Sequence, residues 1–218
     1  MHPIRSMALV LTALAAWCCP SAAYASDPAP LPAAAAPQVE SPSARQVLRW
    51  VMASGDNRGL PFMIVDKLAA RIFLFTPEGA LIGAAPVLLG QGLGDDSPPG
   101  IGDLPLASIR PADRITPAGR FEAVMGVNLA GQDILWLDYE AALSVHRAAD
   151  PKPGVTANGR LSRLASATVN DNRVSHGCVT VSTSFFERGL RPAFADMGGV
   201  VYILPETRPS TDQFPLAV

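Results

Sequence analysis

The feature that most constrains the fold is a series of short β-prone segments, each bounded by glycine, proline or aspartate. They include FMIV (62–65), RIFLFT (71–76), FEAVMGVNL (121–129), DILWLDY (133–139) and GVVYILPE (199–206). β-Branched and aromatic residues favour pleated strands, and the flanking residues favour turns. Many short strands with few helices predict a mainly β domain with short helices.

Two segments have helical character. In SARQVLRWVMASG (43–55), Ser43 is a candidate cap, apolar residues recur at helical spacing, and Gly55 ends the run. The second segment is STSFFERGLRPAFADM (182–197), in which Pro192 is expected to break or restart the helix. Residues 90–120 are rich in glycine, proline and aspartate, which predicts a long loop.

The N-terminal 25 residues predict a cleavable signal peptide. A basic start with Arg5 is followed by an apolar run over residues 7–17 and by Ala23-Tyr24-Ala25, a small-x-small cleavage motif. The protein is therefore predicted to be exported to the periplasm and not to be an integral membrane protein once processed. An uncleaved membrane anchor is the alternative.

A Pro- and Ala-rich stretch follows over residues 26–42, with almost no large apolar side chain. Such a segment buries too little surface to offset its ordering entropy, so we predict a disordered tether. The globular domain is then predicted over residues 43–218. The chain carries 17 basic and 19 acidic side chains without a basic stripe, which argues against a nucleic-acid partner.

Cleavage would leave one cysteine. Cys18 and Cys19 depart with the signal peptide, whereas Cys178 stays together with two histidines, His146 and His176. Exported proteins usually keep cysteines in disulfide pairs. A single remaining cysteine is a buried inert thiol, an intermolecular bridge or a reactive thiol.

Several binding motifs are weak. GQGLG (90–94) lacks the spacing of a phosphate loop and is followed by Asp95 and Asp96. These two residues and Asp103 do not follow calcium-loop spacing and are interpreted as loop carboxylates. Cys178 and the two histidines lack the paired spacing of a zinc site. We therefore expect no metal and no cofactor.

Nucleophilic catalysis is the remaining chemistry. If residues 175–181 are extended, His176 and Cys178 point to the same face of a strand. Gly177 leaves the backbone open to a ligand, and a backbone N–H near a nucleophile can stabilise an oxyanion. A buried structural cysteine beside a surface histidine is the alternative interpretation.

The segment Ser175-His176-Gly177-Cys178-Val179 resembles the Ser/Thr-His-Gly-Cys core of the L,D-transpeptidases, the YkuD-type catalytic domain family. Residues 65–90, ITPAGRF (115–121) and GVVYILPE (199–206) resemble, in the same order, the family's first hairpin, its Thr-Pro-x-Gly-x-Phe segment and its closing strand. The resemblance covers roughly residues 60–205 and implies an L,D-transpeptidase-like β-sandwich.

The resemblance implies a cysteine acyltransferase of cell-wall biogenesis and cell shape, acting on peptidoglycan stem peptides. The cysteine attacks the carbonyl of an L-centre, D-alanine leaves, and the acyl group passes to an amine. The products are 3-3 crosslinks or an attached acceptor such as a wall-linked protein. Cys178 is then the nucleophile and His146 the base. The implied substrate-binding residues are Ser175, His176, Gly177, Thr180 and Arg147.

The sequence departs from the family pattern at three points. Arg147 stands where Gly or Ser is usual, Thr180 stands where Arg or Asn is usual, and the gap between His146 and Cys178 is long. The extra residues, within 147–170, predict an inserted loop over the site. Two alternatives stay open: an L,D-carboxypeptidase or crosslink hydrolase that uses the same cysteine, and a non-catalytic wall-binding domain.

Of the two histidines, His146 is predicted to be the base. Side chains two positions apart on one strand lie roughly 6.5–7 Å apart and run parallel, a poor geometry for a bond between His176 and the sulfur. A histidine on a neighbouring strand end can face the sulfur directly.

Overall fold

The computed structural model describes residues 38–148 and 159–216, and it confirms the mainly β class with short helices. The strands are β1 (Phe62–Asp66), β2 (Arg71–Phe75), β3 (Leu81–Pro86), β4 (Leu89–Gly90), β5 (Gly119–Val127), β6 (Asp133–Asp138), β7 (Leu143–Arg147), β8 (Arg173–Ser175), β9 (Val179–Val181) and β10 (Gly199–Ile203). The helices are α1 (Pro42–Ser54), α2 (Arg160–Ala165), α3 (Thr183–Phe185) and α4 (Arg191–Phe194). Short 3₁₀ turns lie at Ile101–Asp103, Leu106–Ser108, Pro111–Asp113, Val169–Asn172 and Ser210–Asp212.

The predicted signal peptide over residues 1–25, most of the predicted tether and part of the predicted inserted loop lie outside the described residues. Within the part of the chain that the structure describes, none of the helices has the length and apolar character needed to span a bilayer.

Eight strands form one sheet in the order β3-β2-β1-β10-β5-β6-β7-β9, and β4 pairs with β8 in a second, two-stranded sheet. Most neighbours are antiparallel, but β1 pairs with β10 in parallel, and β7 pairs with β9 in parallel. Parallel pairing places Val179, the first residue of β9, beside Val145 in the middle of β7. The segment that precedes β9, which contains Cys178, is therefore held next to β7.

Each face of the large sheet is covered by a different apolar cluster. The first core contains alternate residues of most strands and the helical segment after β9, with Val65, Leu74, Leu135, Val145, Val179, Phe186, Leu190 and Phe194 among its members. The second core packs α1 on the other face of β2, β1 and β10, with Val47, Trp50, Val51, Phe62, Phe73 and Tyr202 among its members. On this face helix α1 covers only β2, β1 and β10, so it does not cover β7 and β9.

Helix α1 begins two residues earlier than predicted. Its cap is Ser41, whose Oγ accepts a hydrogen bond from the Ala44 N–H at 3.1 Å, and not Ser43. Pro42 suits the first helical position because its missing N–H would have no partner there. Gly55 ends the helix with a left-handed φ of 68°, as predicted.

The second predicted helix forms as a continuous helical run over residues 183–194, with a π-helical turn at Phe186–Leu190. The wide turn directly precedes Pro192, which lacks the N–H that a regular helix would need at that position. Phe186, Leu190 and Phe194 are fully buried in the first core. Pro192 therefore changes the winding of the helix without ending it.

A buried ionic cluster ties the loop after β4 to the C-terminal segment. Lys67 Nζ donates to Asp95 Oδ1 at 2.8 Å and to the Thr116 carbonyl at 2.9 Å, and it lies 3.5 Å from Glu206 Oε1. Glu206 also forms an ion pair with Arg173. The Lys67 and Asp95 side chains have no exposed surface, so the cluster is a structural anchor.

Asp95 lies in a loop, as interpreted from the sequence, but its carboxylate is buried and is part of this cluster. Besides Lys67, its carboxylate accepts hydrogen bonds from the Glu206 N–H at 2.7 Å and from the Thr207 N–H at 2.9 Å. Burial acts to raise the pKa of Asp95, but these hydrogen bonds hold the pKa well below its ordinary value. Asp96 is exposed and pairs with Arg208, as a loop carboxylate would.

Candidate active site

Strands β7 and β9 bring the two predicted catalytic residues onto one face of the sheet. Val145 pairs with Val179 and His146 pairs with Thr180. Val145 and Val179 are buried in the first core. Because side chains alternate along a strand, His146 projects from the opposite face, as does Cys178 at the position before β9.

The Cys178 sulfur has two polar contacts. The Ser144 hydroxyl donates to Sγ at 3.5 Å, and the thiol donates to the Ala142 carbonyl at 3.4 Å. Ser144 is buried, whereas Cys178 is only half-buried and forms no disulfide. The thiol proton thus has an acceptor, and the sulfur has a donor that can stay in place after the proton leaves.

The His146 ring is oriented by the backbone of the next residue. Its Nδ1 lies 2.9 Å from the Arg147 carbonyl oxygen. A carbonyl oxygen only accepts, so we assign the proton of the neutral imidazole to Nδ1. This tautomer leaves Nε2 as the nitrogen that can accept a proton from the thiol.

The pKa values of Cys178 and His146 are shifted in opposite directions by each other. Burial acts to raise the pKa of Cys178, but the neighbouring His146, together with Ser144, holds it below its ordinary value. Burial acts to lower the pKa of His146, but the neighbouring Cys178 raises it above its ordinary value. Each group therefore shifts the pKa of the other toward its charged form.

His176 has a different environment. Burial lowers its pKa, and the positive charges of Arg114 and Arg160 lower it further. A histidine with a lowered pKa is neutral at neutral pH and provides no positive charge for a thiolate. His176 lines the cavity beside Cys178, so it is placed to contact a bound molecule.

The cysteine segment turns at residues 176 and 177, in contrast to the extended conformation considered from the sequence. β8 ends at Ser175, Gly177 has a left-handed φ of 130°, and β9 begins at Val179. Ser175 closes the turn because its Oγ donates to the Cys178 carbonyl at 2.6 Å and accepts from the Gly177 N–H at 3.1 Å. His176 and Cys178 therefore do not share one strand face.

Arg147 lies away from this site. Its guanidinium pairs with Asp133 at 2.7 Å and with Glu187 at 2.5 Å, and it stacks over the Phe186 ring at 4.1 Å. Phe186 belongs to the first core, on the face of the sheet opposite Cys178. The guanidinium is held by these partners, and direct contact between Arg147 and a substrate stays a prediction.

Thr180 lies beneath the site. It has no exposed surface, and its backbone exchanges two hydrogen bonds of 2.9 Å with Leu88. Its buried hydroxyl has no hydrogen-bond partner among the described residues. Direct contact between Thr180 and a substrate stays a prediction, and its position favours an indirect role through Leu88.

A cavity of about 60 Å³ adjoins Cys178, Gly177 and His176. Its remaining wall comes mainly from the loop between β4 and β5, with the apolar side chains of Ile101, Leu104, Leu106, Ile109 and Ile115. This loop packs closely on the turn after β6, since a Cβ at Gly102 would lie 2.1 Å from the Glu140 carbonyl oxygen. The sulfur therefore faces a small and largely apolar space.

Three residues near the site were missed by the sequence analysis: Ser144, Thr116 and Arg160. The alternation that places His146 also places Ser144 on the same face, so the β7 pattern contained that signal. Thr116 lies in the quoted segment ITPAGRF, but nothing local indicates its contact with residue 177. Arg160 acts on both histidines by charge from α2, a contact set only by the tertiary fold.

Metal ligands are not assembled here. In residues 38–148 and 159–216, no group of three or more His, Cys, Asp or Glu side chains lies close enough to hold an ion. The candidate site consists of a thiol, an imidazole and a hydroxyl, which together can perform nucleophilic and proton-transfer chemistry.

No protein-family model matches the chain, and no curated protein matches it. Solved structures do. A fused Zn-dependent amidase/peptidase/peptidoglycan-binding domain-containing protein from Clostridium acetobutylicum is 16% identical over 76% of this chain and 65% of its own, with a TM-score of 0.40. The helical cell shape determining protein of Campylobacter jejuni is 13% identical over 68% of this chain and 49% of its own, with a TM-score of 0.45.

An L,D-transpeptidase from Xylanimonas cellulosilytica is 16% identical over 66% of this chain and 60% of its own, with a TM-score of 0.36. With every TM-score below 0.5, these likenesses carry no argument about activity or residue roles. The chain spans between about half and two thirds of the length of these solved structures.

Proposed function

We propose that the chain is a cysteine acyltransferase of the L,D-transpeptidase type, acting on peptidoglycan stem peptides in the periplasm. The observation that carries the proposal is the Cys178–His146 pair, in which each group shifts the pKa of the other toward its charged form. Such shifts beside a cavity are typical of a nucleophile and its base. A structural thiol would be surrounded by apolar groups and would have a raised pKa.

Acylation proceeds from the thiolate–imidazolium pair. Sγ attacks the carbonyl carbon of the stem peptide, a C–S bond forms, and the tetrahedral intermediate carries the negative charge on its oxygen. The intermediate collapses as the C–N bond breaks, and His146 gives its Nε2 proton to the departing amine of D-alanine. The enzyme is left as a thioester at Cys178 with a neutral imidazole, so atoms and charge balance.

The second half of the reaction reverses these roles. An acceptor amine attacks the thioester carbonyl, His146 takes a proton from the attacking nitrogen, and the C–S bond breaks to restore the thiolate. The apolar wall of the cavity, including Ile101, Ile109 and Ile115, supports amine transfer because it limits access of water to the thioester. Water as acceptor would give the carboxypeptidase or hydrolase alternative.

Export and partners belong to the same proposal. The predicted signal peptide delivers the chain to the compartment that holds its substrate. The predicted tether lies between the signal peptide and the catalytic domain. Stem peptides are the proposed donors, and a second stem or a wall-linked protein is the proposed amine acceptor. The chemistry uses the thiol and imidazole alone, without a cofactor.

Incubation of the mature protein with muropeptides, read by mass spectrometry, tests the proposal. We expect a tetrapeptide donor to lose D-alanine and to gain the mass of an acceptor stem, through a thioester on Cys178. Cys178→Ala should reduce turnover to background while its melting curve matches that of the wild type. The matched control is Ser184→Ala, an exposed serine away from the cavity.

The outcomes separate the alternatives. Loss of D-alanine without a gain of acceptor mass identifies a carboxypeptidase. Muropeptides that bind to the protein but keep their mass identify a wall-binding domain and contradict acyl transfer. Identical product formation by Cys178→Ala would remove Cys178 as nucleophile.

A further inference from the structure

Thr116 connects three segments that meet behind the cysteine turn. Its hydroxyl accepts a hydrogen bond from the Gly90 N–H at 2.8 Å and donates to the Gly177 carbonyl at 2.7 Å. A hydroxyl has a single proton, so the bond from Gly90 leaves that proton for Gly177. Thr116 has no exposed surface, which makes both hydrogen bonds free of competition with water.

Glycines allow this close approach. A Cβ at Gly90 would lie 2.2 Å from the Arg114 carbonyl oxygen, and one at Gly177 would lie 2.8 Å from the Ile115 carbonyl oxygen. Neither distance leaves room for a side chain. The Thr116 carbonyl is itself held by Lys67 Nζ at 2.9 Å, so the buried ionic cluster fixes the position from which the hydroxyl acts.

The hydrogen bond to Gly177 orients the next peptide group. The Gly177–Cys178 peptide is trans, and in a planar trans peptide the N–H points away from the C=O. With the Gly177 carbonyl bound to Thr116, the Cys178 N–H points away from Thr116. Among the described residues this N–H has no hydrogen-bond partner, although its residue carries the sulfur and lines the cavity.

We propose that Thr116 is a positioning residue that orients the Cys178 N–H as the oxyanion donor of acyl transfer. The inference rests on the proposed function. When Sγ forms its bond to the carbonyl carbon, the carbonyl π electrons move to oxygen, and the Cys178 N–H donates to that oxyanion. The charge returns to the carbonyl as the leaving group departs with a proton from His146. Thr116 itself touches neither the substrate nor the sulfur.

A comparison of two reactions at the same sulfur tests this role. p-Nitrophenyl acetate acylates a thiolate through a tetrahedral oxyanion, whereas iodoacetamide alkylates it by direct displacement without an oxyanion. Thr116→Val removes both hydrogen bonds with little change of volume, and Thr116→Ala removes them without overpacking. Thr116→Ser, which keeps the hydroxyl, is the matched control.

We expect Thr116→Val and Thr116→Ala to slow acylation at saturating ester by about 10- to 100-fold. The effect stays below the roughly 10²–10³ measured when an oxyanion donor is itself removed, because the donor here is only misoriented. KM for the ester and the iodoacetamide rate should stay within about twofold of the wild type. Thr116→Ser should recover most of the acylation rate.

The inference is overturned if Thr116→Val and Thr116→Ala acylate at the wild-type rate. It is also overturned if alkylation slows as much as acylation, because the sulfur itself has then moved, or if Thr116→Ser is as slow as Thr116→Val. A wild-type protein that alkylates but is not acylated by the ester contradicts acyl transfer itself, a result distinct from failure of the Thr116 variants.

Discussion

Two polar clusters lie in this fold, one around Lys67 and one around Cys178, and their contacts differ. Lys67 Nζ has three acceptors within 2.6–2.9 Å and no exposure. The Cys178 sulfur has contacts of 3.4 and 3.5 Å and lies next to a cavity. The first cluster is saturated with charge-assisted hydrogen bonds, whereas the second keeps bonding capacity free.

The difference distinguishes a cluster that stabilises the fold from a cluster that can react. In the Lys67 cluster the opposite charges compensate each other, and removal of one partner would leave the other charge buried without compensation. In the Cys178 cluster both protonation states of the sulfur have a partner, Ala142 for the thiol and Ser144 for the thiolate. We therefore expect variants of the first cluster to affect folding and variants of the second to affect chemistry.

The largest effect is expected at His146. His146→Ala should lower the rate of acylation by about 10²–10⁴, the usual contribution of a general base. His176→Ala should lower it less and should act mainly on substrate affinity, because His176 has a lowered pKa and lines the cavity. Single-turnover acylation of each variant at several pH values measures both effects.

The reverse order would exchange the two roles. If His176→Ala abolished acylation while His146→Ala acylated near the wild-type rate, the assignment of the base would be wrong. Melting curves of both variants provide the control, since both side chains lie outside the two apolar cores.

Lys67→Met should instead act on stability. Removing one partner of a buried ion pair leaves the other charge uncompensated, and we expect a loss of about 3–5 kcal/mol in the free energy of unfolding. Denaturant unfolding measures the loss. The matched control is Arg208→Ala, which removes the partner of the exposed Asp96 and should change the free energy of unfolding much less.

Equal effects of the two variants would contradict the comparison. A folded Lys67→Met protein gives a further result, since its iodoacetamide rate should fall little while its acylation rate follows that of Thr116→Val. The Lys67 side chain holds the Thr116 carbonyl, which links it to the cysteine turn, and the Glu206–Arg173 pair links it to β8, the strand before that turn.

The same contrast shows which parts of the structure a sequence can reveal. The strands around FMIV, RIFLF and GVVYI form as predicted because β propensity and turn residues act over a few positions. The helical run over residues 183–194 was also found, although its π-helical turn before Pro192 was not.

Contacts between distant segments were not predictable in this way. The buried contacts of Asp95 were not predicted because its partners, Lys67 and Thr207, are remote in the chain. The resemblance implies Arg147 as a substrate-binding residue, and its pairing with Asp133 and its stacking on Phe186 on the other face of the sheet could not be predicted from the sequence. Cys178 and His146 were paired through a resemblance, and the register of β7 and β9 places them on one face.

The smallest and most specific effect is expected at Ser144. Ser144 Oγ donates to the Cys178 sulfur, and this hydrogen bond favours the thiolate over the thiol. Ser144→Ala should therefore raise the pKa of Cys178 from its lowered value toward the ordinary one. Ser144→Thr, which keeps the hydroxyl, is the matched control.

The pH profile of iodoacetamide alkylation measures this change directly. The rate rises with pH as the thiol of Cys178 loses its proton, so a higher pKa moves the rise to higher pH in Ser144→Ala. The rate of acylation should also fall at high pH as His146 loses its proton. This high-pH limb of the profile should not move in Ser144→Ala, because the Arg147 carbonyl still accepts the hydrogen bond from His146 Nδ1. A Ser144→Ala profile that coincides with the wild type would show that His146 alone sets the acidity of the thiol. A shift of both limbs would show that Ser144 acts on the pair and not on the sulfur.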